Sequence, residues 1–270
     1  MKEVFQTFKP KNALVERYVA YYYLDIKPHN TVNRFRCFPH HNTTLSIYRS
    51  HVRLASGEMK YELEGAPFQI YTPMRENVLQ VVQVGPIYRI VVVFNPLGIQ
   101  QFFEDLNFGD YVTEFTFFQP SEVSDFFSTL DIEILTHLLD QSLVKRIQKK
   151  SYPVLERAID YILEETELIS VGGLAEKVNV TRQHLNRLFR LHFGVSTKKF
   201  LDIVLFRKSI HKKLFEDPSG TFTELTYDLN FSDQSHFTKT YKSLTAHSPK
   251  FFFNNGTVLG EEDTFWHLMS

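Results

Sequence analysis

VGGLAEKVNVTRQHLNRLFRLHFG, residues 171–194, and FTELTYDLNFSDQSHFTKTYKSLTAHSP, residues 222–249, are two versions of one pattern. Each reads as a short apolar helix, a tight turn and a second helix with polar residues along one side. This is the helix-turn-helix arrangement, whose second helix enters the major groove of DNA. In the first copy Leu174, Ala175 and Val178 line the first helix, and Leu185, Leu188 and Phe189 the second. Ala175 is small where the two helices cross, Asn179 tolerates the positive φ of the turn, and Thr181 is a good N-cap. In the second copy Leu225, Leu229 and Phe231 form the core side, with Phe237 and Tyr241 as an i, i+4 pair. Thr226 takes the small-residue position, Asn230 the turn, and Ser232 or Asp233 the cap.

The polar faces carry the chemistry. The helix at about residues 181–192 presents Thr181, Arg182, Gln183, Asn186, Arg187 and Arg190. The helix at about residues 232–244 presents Gln234, Ser235, Thr238 and Lys239. Arginine pairs bidentately with guanine, and glutamine or asparagine with adenine. Residues 177–213 hold ten Lys or Arg against one acid, Asp202, a concentration suited to phosphates. Residues 196–215 read as one continuous helix, with Phe200, Ile203, Val204, Ile210 and Leu214 as its apolar contacts. About 20 helical residues span roughly 30 Å, close to the ~34 Å turn of B-DNA. One chain can therefore offer recognition helices to two successive major grooves.

The chain has 270 residues, net charge −1, 43% hydrophobic and 23% charged residues, which fits two ordinary soluble domains and excludes a polycationic coat. It has one cysteine, Cys37, so no internal disulfide forms. The first residues lack the apolar core of a signal peptide, no run approaches the ~18 apolar residues of a membrane span, and a cytoplasmic location is expected. Residues 1 to about 95 read as short strands punctuated by glycine and proline, an antiparallel barrel or sandwich. Phe35, Phe38, Tyr48, Tyr71 and Tyr88 are its candidate pocket-lining aromatics. Helices are expected from Pro96 (with Leu97, Ile99, Phe102, Phe103 and Leu106 inward), from a Ser121 cap, and along 132–147, whose apolar stripe serves either as core or as a dimer interface. The expected division is 1–150, 151–257 and a loose tail, 258–270. Cys37, His40, His41 and His51 are close in sequence but lack the spacing of a metal-binding cupin. No nucleotide-loop, nucleophile-elbow or zinc-protease motif is present, so no catalytic residue, metal ligand or cofactor is assigned.

Residues from about 154 to 254 resemble the DNA-binding domain of the AraC/XylS family of bacterial transcription regulators. The most specific part is LNFSDQSHFTKTYKSLTAHSP, residues 229–249, where Phe231, Asp233, Ser235, Phe237, Lys239, Tyr241, Lys242, Ser248 and Pro249 match the family signature. Asn230 and Ala246 stand where glycine is usual, Thr226 and His211 where alanine is, and Phe252-Phe253 replaces a Tyr-Arg pair. The resemblance implies an α+β chain of two domains, a cupin-like β-rich sensor with following helices and an all-α domain with two helix-turn-helix units joined by a long helix. It implies a sequence-specific regulator, by family bias an activator contacting RNA polymerase, with double-stranded promoter DNA, a small-molecule effector and a second copy as partners. The rival reading is a cupin-type metal enzyme fused to a DNA-targeting module.

Overall fold

The computed structural model describes residues 2–103, 116–164, 169–229, 231 and 233–269. Its β-rich part is a two-sheet sandwich. One sheet has the order β1 (Val4–Phe8), β2 (Val19–Lys27), β9 (Ile87–Phe94), β4 (Thr43–Tyr48), β7 (Phe68–Thr72). The other joins β3 (Val32–Cys37), β8 (Leu79–Val84), β6 (Met59–Tyr61) and β5 (His51–Arg53). All pairings are antiparallel except β6 with β8.

The central strands β2 and β9 are buried on both faces, which explains their nearly unbroken apolar runs. Side chains alternate. Tyr21, Tyr23, Val91 and Val93 face the second sheet. Tyr22, Leu24, Ile90, Val92 and Phe94 face a helical layer. That layer contains α2 (Pro120–Phe126) and α3 (Ile132–Val144). The α3 stripe read as core or dimer interface is core: Leu135, Leu139 and Leu143 are fully buried against the sheet. Asp140 of α3 fixes the chain start, accepting from the amides of Lys11 and Asn12 at 2.8 Å and from the Tyr22 hydroxyl at 2.7 Å. Helix α1 (Ala13–Glu16) follows directly.

Two helix readings are corrected. The segment after Pro96 forms only a 3₁₀ turn, Ile99–Gln101, within the described residues; Leu106 lies outside them. Ser121 is not a cap. The cap of α2 is Gln119, in a reciprocal box with Glu122, and Pro120 opens the helix.

From α4 (Pro153–Glu164) onward the chain is helical: α5 (Val171–Lys177), α6 (Arg182–Phe193), α7 (Thr197–His211), α8 (Phe222–Asp228), α9 (Gln234–Thr245) and α10 (Pro249–Asn255). The expected continuous helix over 196–215 changes winding. After α7 it becomes a π-helical turn, Lys212–Glu216.

The segment expected to trail as a loose tail does not. It forms β10 (Thr257–Val258) and β11 (Phe265–Met269), and β11 pairs with β3 of the N-terminal sandwich. The reason is an open sheet edge matched by an alternating strand: Trp266 stacks on Phe35 with centroids 4.1 Å apart. One apolar cluster consequently runs through the helical part into Phe38, Met74 and Phe265. Phe252 of α10 is its junction, within 5.5 Å of the rings of Phe38, Phe206, Tyr241 and Phe265. Replacing Phe252 with alanine leaves a cavity at that junction and should cost about 3–5 kcal/mol. Chemical denaturation of both chains measures the loss; a cost below ~1 kcal/mol would show that the site collapses freely.

Candidate nucleic-acid interface and sandwich cavity

The two helix-turn-helix units repeat one another down to the backbone. In the first, Ser170 caps α5, the Val180 amide donates to the Ala175 carbonyl at 3.0 Å, and Asn179 holds φ of 58°. The Thr181 hydroxyl then accepts from the His184 amide, capping α6 as its sequence implies. In the second, the Thr221–Glu224 box opens α8 and the Phe231 amide donates to the Thr226 carbonyl at 3.0 Å. Asp233 caps α9 through the His236 amide at 2.7 Å. Asn230 and Ser232 lie outside the described residues. Thr226 fits where alanine is usual because its hydroxyl donates to the Phe222 carbonyl of its own helix, leaving no unsatisfied donor at the crossing. Phe237 and Tyr241 pair at 4.7 Å.

Most of the expected recognition residues face solvent. Thr181, Arg182, Gln183, Arg187 and Arg190 are exposed on the first unit, and Gln234, Ser235 and Lys239 on the second; Asn186 and Thr238 are half-buried. Two of these have other work. Asn186 accepts the Thr197 amide at 3.1 Å, so its side chain ties α6 to the start of α7. Arg182 lies back against Gly172, its Nη2 standing 2.7 Å from where a β-carbon there would be. Arg187 approaches His184 Nδ1 at 3.3 Å on the open face.

The basic run at 177–213 is not one phosphate-facing patch. Lys198 pairs with Asp202 at 2.7 Å, and Lys212 with Asp228 at 3.0 Å. Lys208 donates to the Ile162 carbonyl at 3.0 Å and Lys213 to that of Gly220 at 2.7 Å. Arg207 is buried and points away from the recognition faces. Its Nε donates to the Pro39 carbonyl at 2.7 Å and its Nη2 to that of Phe38 at 2.9 Å. The exposed cations left in a row are those of α6.

A cavity of about 240 Å³ opens between the two sheets. Of the five aromatics expected to line it, Phe35, Phe38 and Tyr48 do. Tyr71 is instead buried toward the helical layer, and Tyr88 packs near Tyr61 at 5.7 Å. The period-two alternation of AYYYL on β2 could have revealed Tyr21 and Tyr23 as wall residues. Arg89, Arg207 and Trp266 had no local signal. Arg89 is 4% exposed, bound to Asp25 at 2.7 Å and set among the rings of Tyr23, Phe35, Tyr48 and Trp266 at 5.3–5.8 Å. Its Nε, and that of Arg75 in the same wall, are buried with no hydrogen-bond partner among the described residues.

Cys37 and His40 line this cavity and the His40 and His41 rings lie 4.5 Å apart, but the four do not gather into one site. His40 pairs with Asp263, while His51 reaches the Pro86 carbonyl at 3.2 Å and burial lowers its pKa to about 4. No group of three metal-ligating side chains occurs among the described residues, and no helix among them is long and apolar enough to cross a membrane.

Residues 174–255 match the family model of a helix-turn-helix domain. The Msm operon regulatory protein of Streptococcus mutans is 30% identical over 84 residues, which are 31% of this chain and 30% of that protein. The transcriptional regulator GlxA of Rhizobium meliloti is 30% identical over 96 residues, 35% of this chain and 27% of that protein. The matches thus span less than a third of these relatives' lengths. The structure of ToxT from Vibrio cholerae superposes with a TM-score of 0.50 at 11% identity, covering 86% of this chain and 98% of ToxT. That likeness shows a shared fold of β-rich and helical parts.

The C-caps of the two recognition helices differ in one respect with a measurable consequence. Gly194 closes α6 at φ 73°, whereas Ala246 closes α9 at φ 63°. An L-residue in that region costs roughly 1–2 kcal/mol relative to glycine. Ala246→Gly should therefore stabilise the chain by about 1 kcal/mol, read as a higher denaturation midpoint; a lower midpoint would contradict the strain.

Proposed function

We propose that this chain, whose C-terminal half is an AraC/XylS-type helix-turn-helix domain, is a sequence-specific transcription regulator that acts as an activator in the cytoplasm. The observation that carries this reading is the duplicated unit: two capped recognition helices, each with an exposed polar face, joined by α7. The 15 residues of α7 alone span about 22 Å, with the π turn extending the separation. That range suits two successive major grooves on one face of a duplex.

Arg187, Gln183 and Arg190 serve the first groove, and Gln234, Ser235 and Lys239 the second. Thr181 aims its helix through the cap, and Asn186 holds the unit's shape. Thr238 and Arg182 contribute at the margin, the latter after leaving Gly172. The boundary between the sensor and the DNA-binding part falls near residue 150, and the sensor's cavity receives a small-molecule effector. Its rings favour an apolar body, and the unpartnered Nε donors of Arg75 and Arg89 favour a hydrogen-bond acceptor on it. RNA polymerase contact and self-association belong to the same reading.

Selection from random duplex DNA tests it. The expected product is a site with two half-sites about 10–11 base pairs apart; absence of any enriched sequence would defeat the proposal. On that site Arg187→Ala should cost about 1–3 kcal/mol and relax one or two base pairs, whereas equal loss on random DNA would make Arg187 a phosphate contact only. Val204 is 2% exposed in the middle of α7. Proline there removes a backbone bond and should cost ~3 kcal/mol or more. Footprints of Val204→Pro should lose the paired protection, and retention of both protected grooves would rule out α7 as the spacer.

A further inference from the structure

The cavity takes its walls from three separate pieces of chain: the sandwich itself, Arg207 of α7, and Asp263 and Trp266 from the segment after α10. That last segment lies beyond the helix-turn-helix match, which ends at 255. It is held lightly by backbone pairing. Strand β11 meets β3 over four residue pairs, from Trp266 opposite Cys37 to Met269 opposite Arg34, while β3 meets β8 over six. Side chains add the remainder. Trp266 stacks on Phe35 and meets Phe5 edge-on at 5.6 Å. Asp263 accepts from the Tyr21 hydroxyl at 2.9 Å and pairs with His40. Despite burial, which opposes ionisation, His40, Arg207 and Tyr21 hold the Asp263 carboxyl far below the ordinary carboxylate range.

The same segment continues without a break from the second helix-turn-helix unit. His267 bonds the Phe252 carbonyl at 2.8 Å, and Phe252 packs on Tyr241 of α9. The recognition faces of α6 and α9 remain exposed with the segment docked, so it does not occlude them. Instead it adds to the Phe38–Phe252 and Arg36–His247 contacts that tie the far end of the second unit to the sandwich, as Arg207 ties the linker helix.

We propose that residues 256–269 form a latch: β11 closes the sensor cavity, a molecule entering the cavity lifts it, and lifting it loosens the hold of the sensor on the second helix-turn-helix unit. A strand joined to its sheet over four residue pairs, with only the two-residue β10 outside it, opens at lower free energy than the strands it covers. Ligand entry and the freedom of the second unit are then linked, each altering the other by the same factor. The last step rests on the DNA-binding reading; the first does not.

Gly256 supplies the variant. Its backbone, at φ −89° and ψ 153°, suits any residue, but a β-carbon there would fall 1.6 Å from the Phe265 ring. Gly256→Ala should therefore unseat β11 while Asp263, Trp266 and the recognition helices keep their sequence. Trp266 is the chain's one tryptophan and is 5% exposed, so its fluorescence reports latch closure directly. In the full chain the amides of β11 should exchange with deuterium at least about tenfold faster than those of β2 and β9. Gly256→Ala should raise acrylamide quenching of Trp266 several-fold while far-ultraviolet dichroism stays unchanged, and should speed uptake of the apolar dye N-phenyl-1-naphthylamine. Trp266→Cys stands in register with the native Cys37, and paired residues at that separation can be bridged. Its oxidised form should stop dye uptake and reductant should restore it, which keeps the test decisive should Gly256→Ala not fold.

On the selected duplex, the full chain should demand one half-site gap and Gly256→Ala should accept gaps altered by a base pair or more. Exchange of β11 only with global unfolding, or dye uptake indifferent to the crosslink, overturns the latch. An unchanged gap preference overturns its link to DNA. Failure of the full chain to select any duplex defeats the functional reading, while the exchange and dye results still decide the latch.

Discussion

A buried guanidinium anchors the linker helix where the two halves of this molecule meet. Arg207 leaves the linker helix, enters the β-rich part and gives its hydrogens to the carbonyls of Phe38 and Pro39. A charge in that position is tolerable only while those acceptors remain, because an unpaired buried cation costs several kcal/mol. The linker helix therefore cannot drift from the sandwich surface gradually: either Arg207 is seated or its guanidinium is hydrated. The apolar cluster around it, which runs from Phe206 through Phe252 to Phe38, can be continuous because this contact sets the approach of the two halves.

That arrangement also explains where the sequence was legible and where it was not. Local chemistry was readable. The caps at Thr181 and Asp233, the positive φ at Asn179 and the pairing of Phe237 with Tyr241 all depend on residues a few positions apart. So did the main strands, whose β-branched and aromatic runs need no partner to be recognised. What escaped notice was long-range. Arg207 looked like one more cation in a basic run, since nothing near it in sequence marks it for burial. The tie that Asn186 makes to the start of α7 is of the same kind, since its acceptor role needs that helix folded against it. The last residues looked like a tail because a strand of five residues is recognised by the edge it joins, and that edge lies more than 200 positions earlier. The cap of α2 was misplaced by two positions because a glutamine cap in a reciprocal box is weaker in composition than a serine.

The two helix-turn-helix units are alike in design and unequal in quality. The first closes its recognition helix with glycine and crosses its helices at alanine. The second places alanine at a left-handed position and threonine at the crossing. Each departure is accommodated, but the strain and the longer side chain fall on the same unit. Its packing rests on Tyr241, whose hydroxyl meets Ser209 of α7 at 2.7 Å, and on Phe252 beyond it. A unit with less internal stability depends more on what surrounds it, so it is the one whose position the rest of the molecule can set.

The π-helical turn at Lys212–Glu216 gives this dependence a rotational dimension. A π turn accommodates an extra residue where an α-helix would have advanced, and each α-helical residue turns the chain by about 100°. The winding at that point thus acts as a phase offset between α6 and α9, setting the azimuth of the second helix-turn-helix unit relative to the first. Lys212, bonded across to Asp228 on α8, braces that offset from outside. Relaxing the turn to α-helical winding would rotate the second unit around the helix axis far more than it would move it along, and DNA with the right half-site distance but the wrong helical phase would then become the better match.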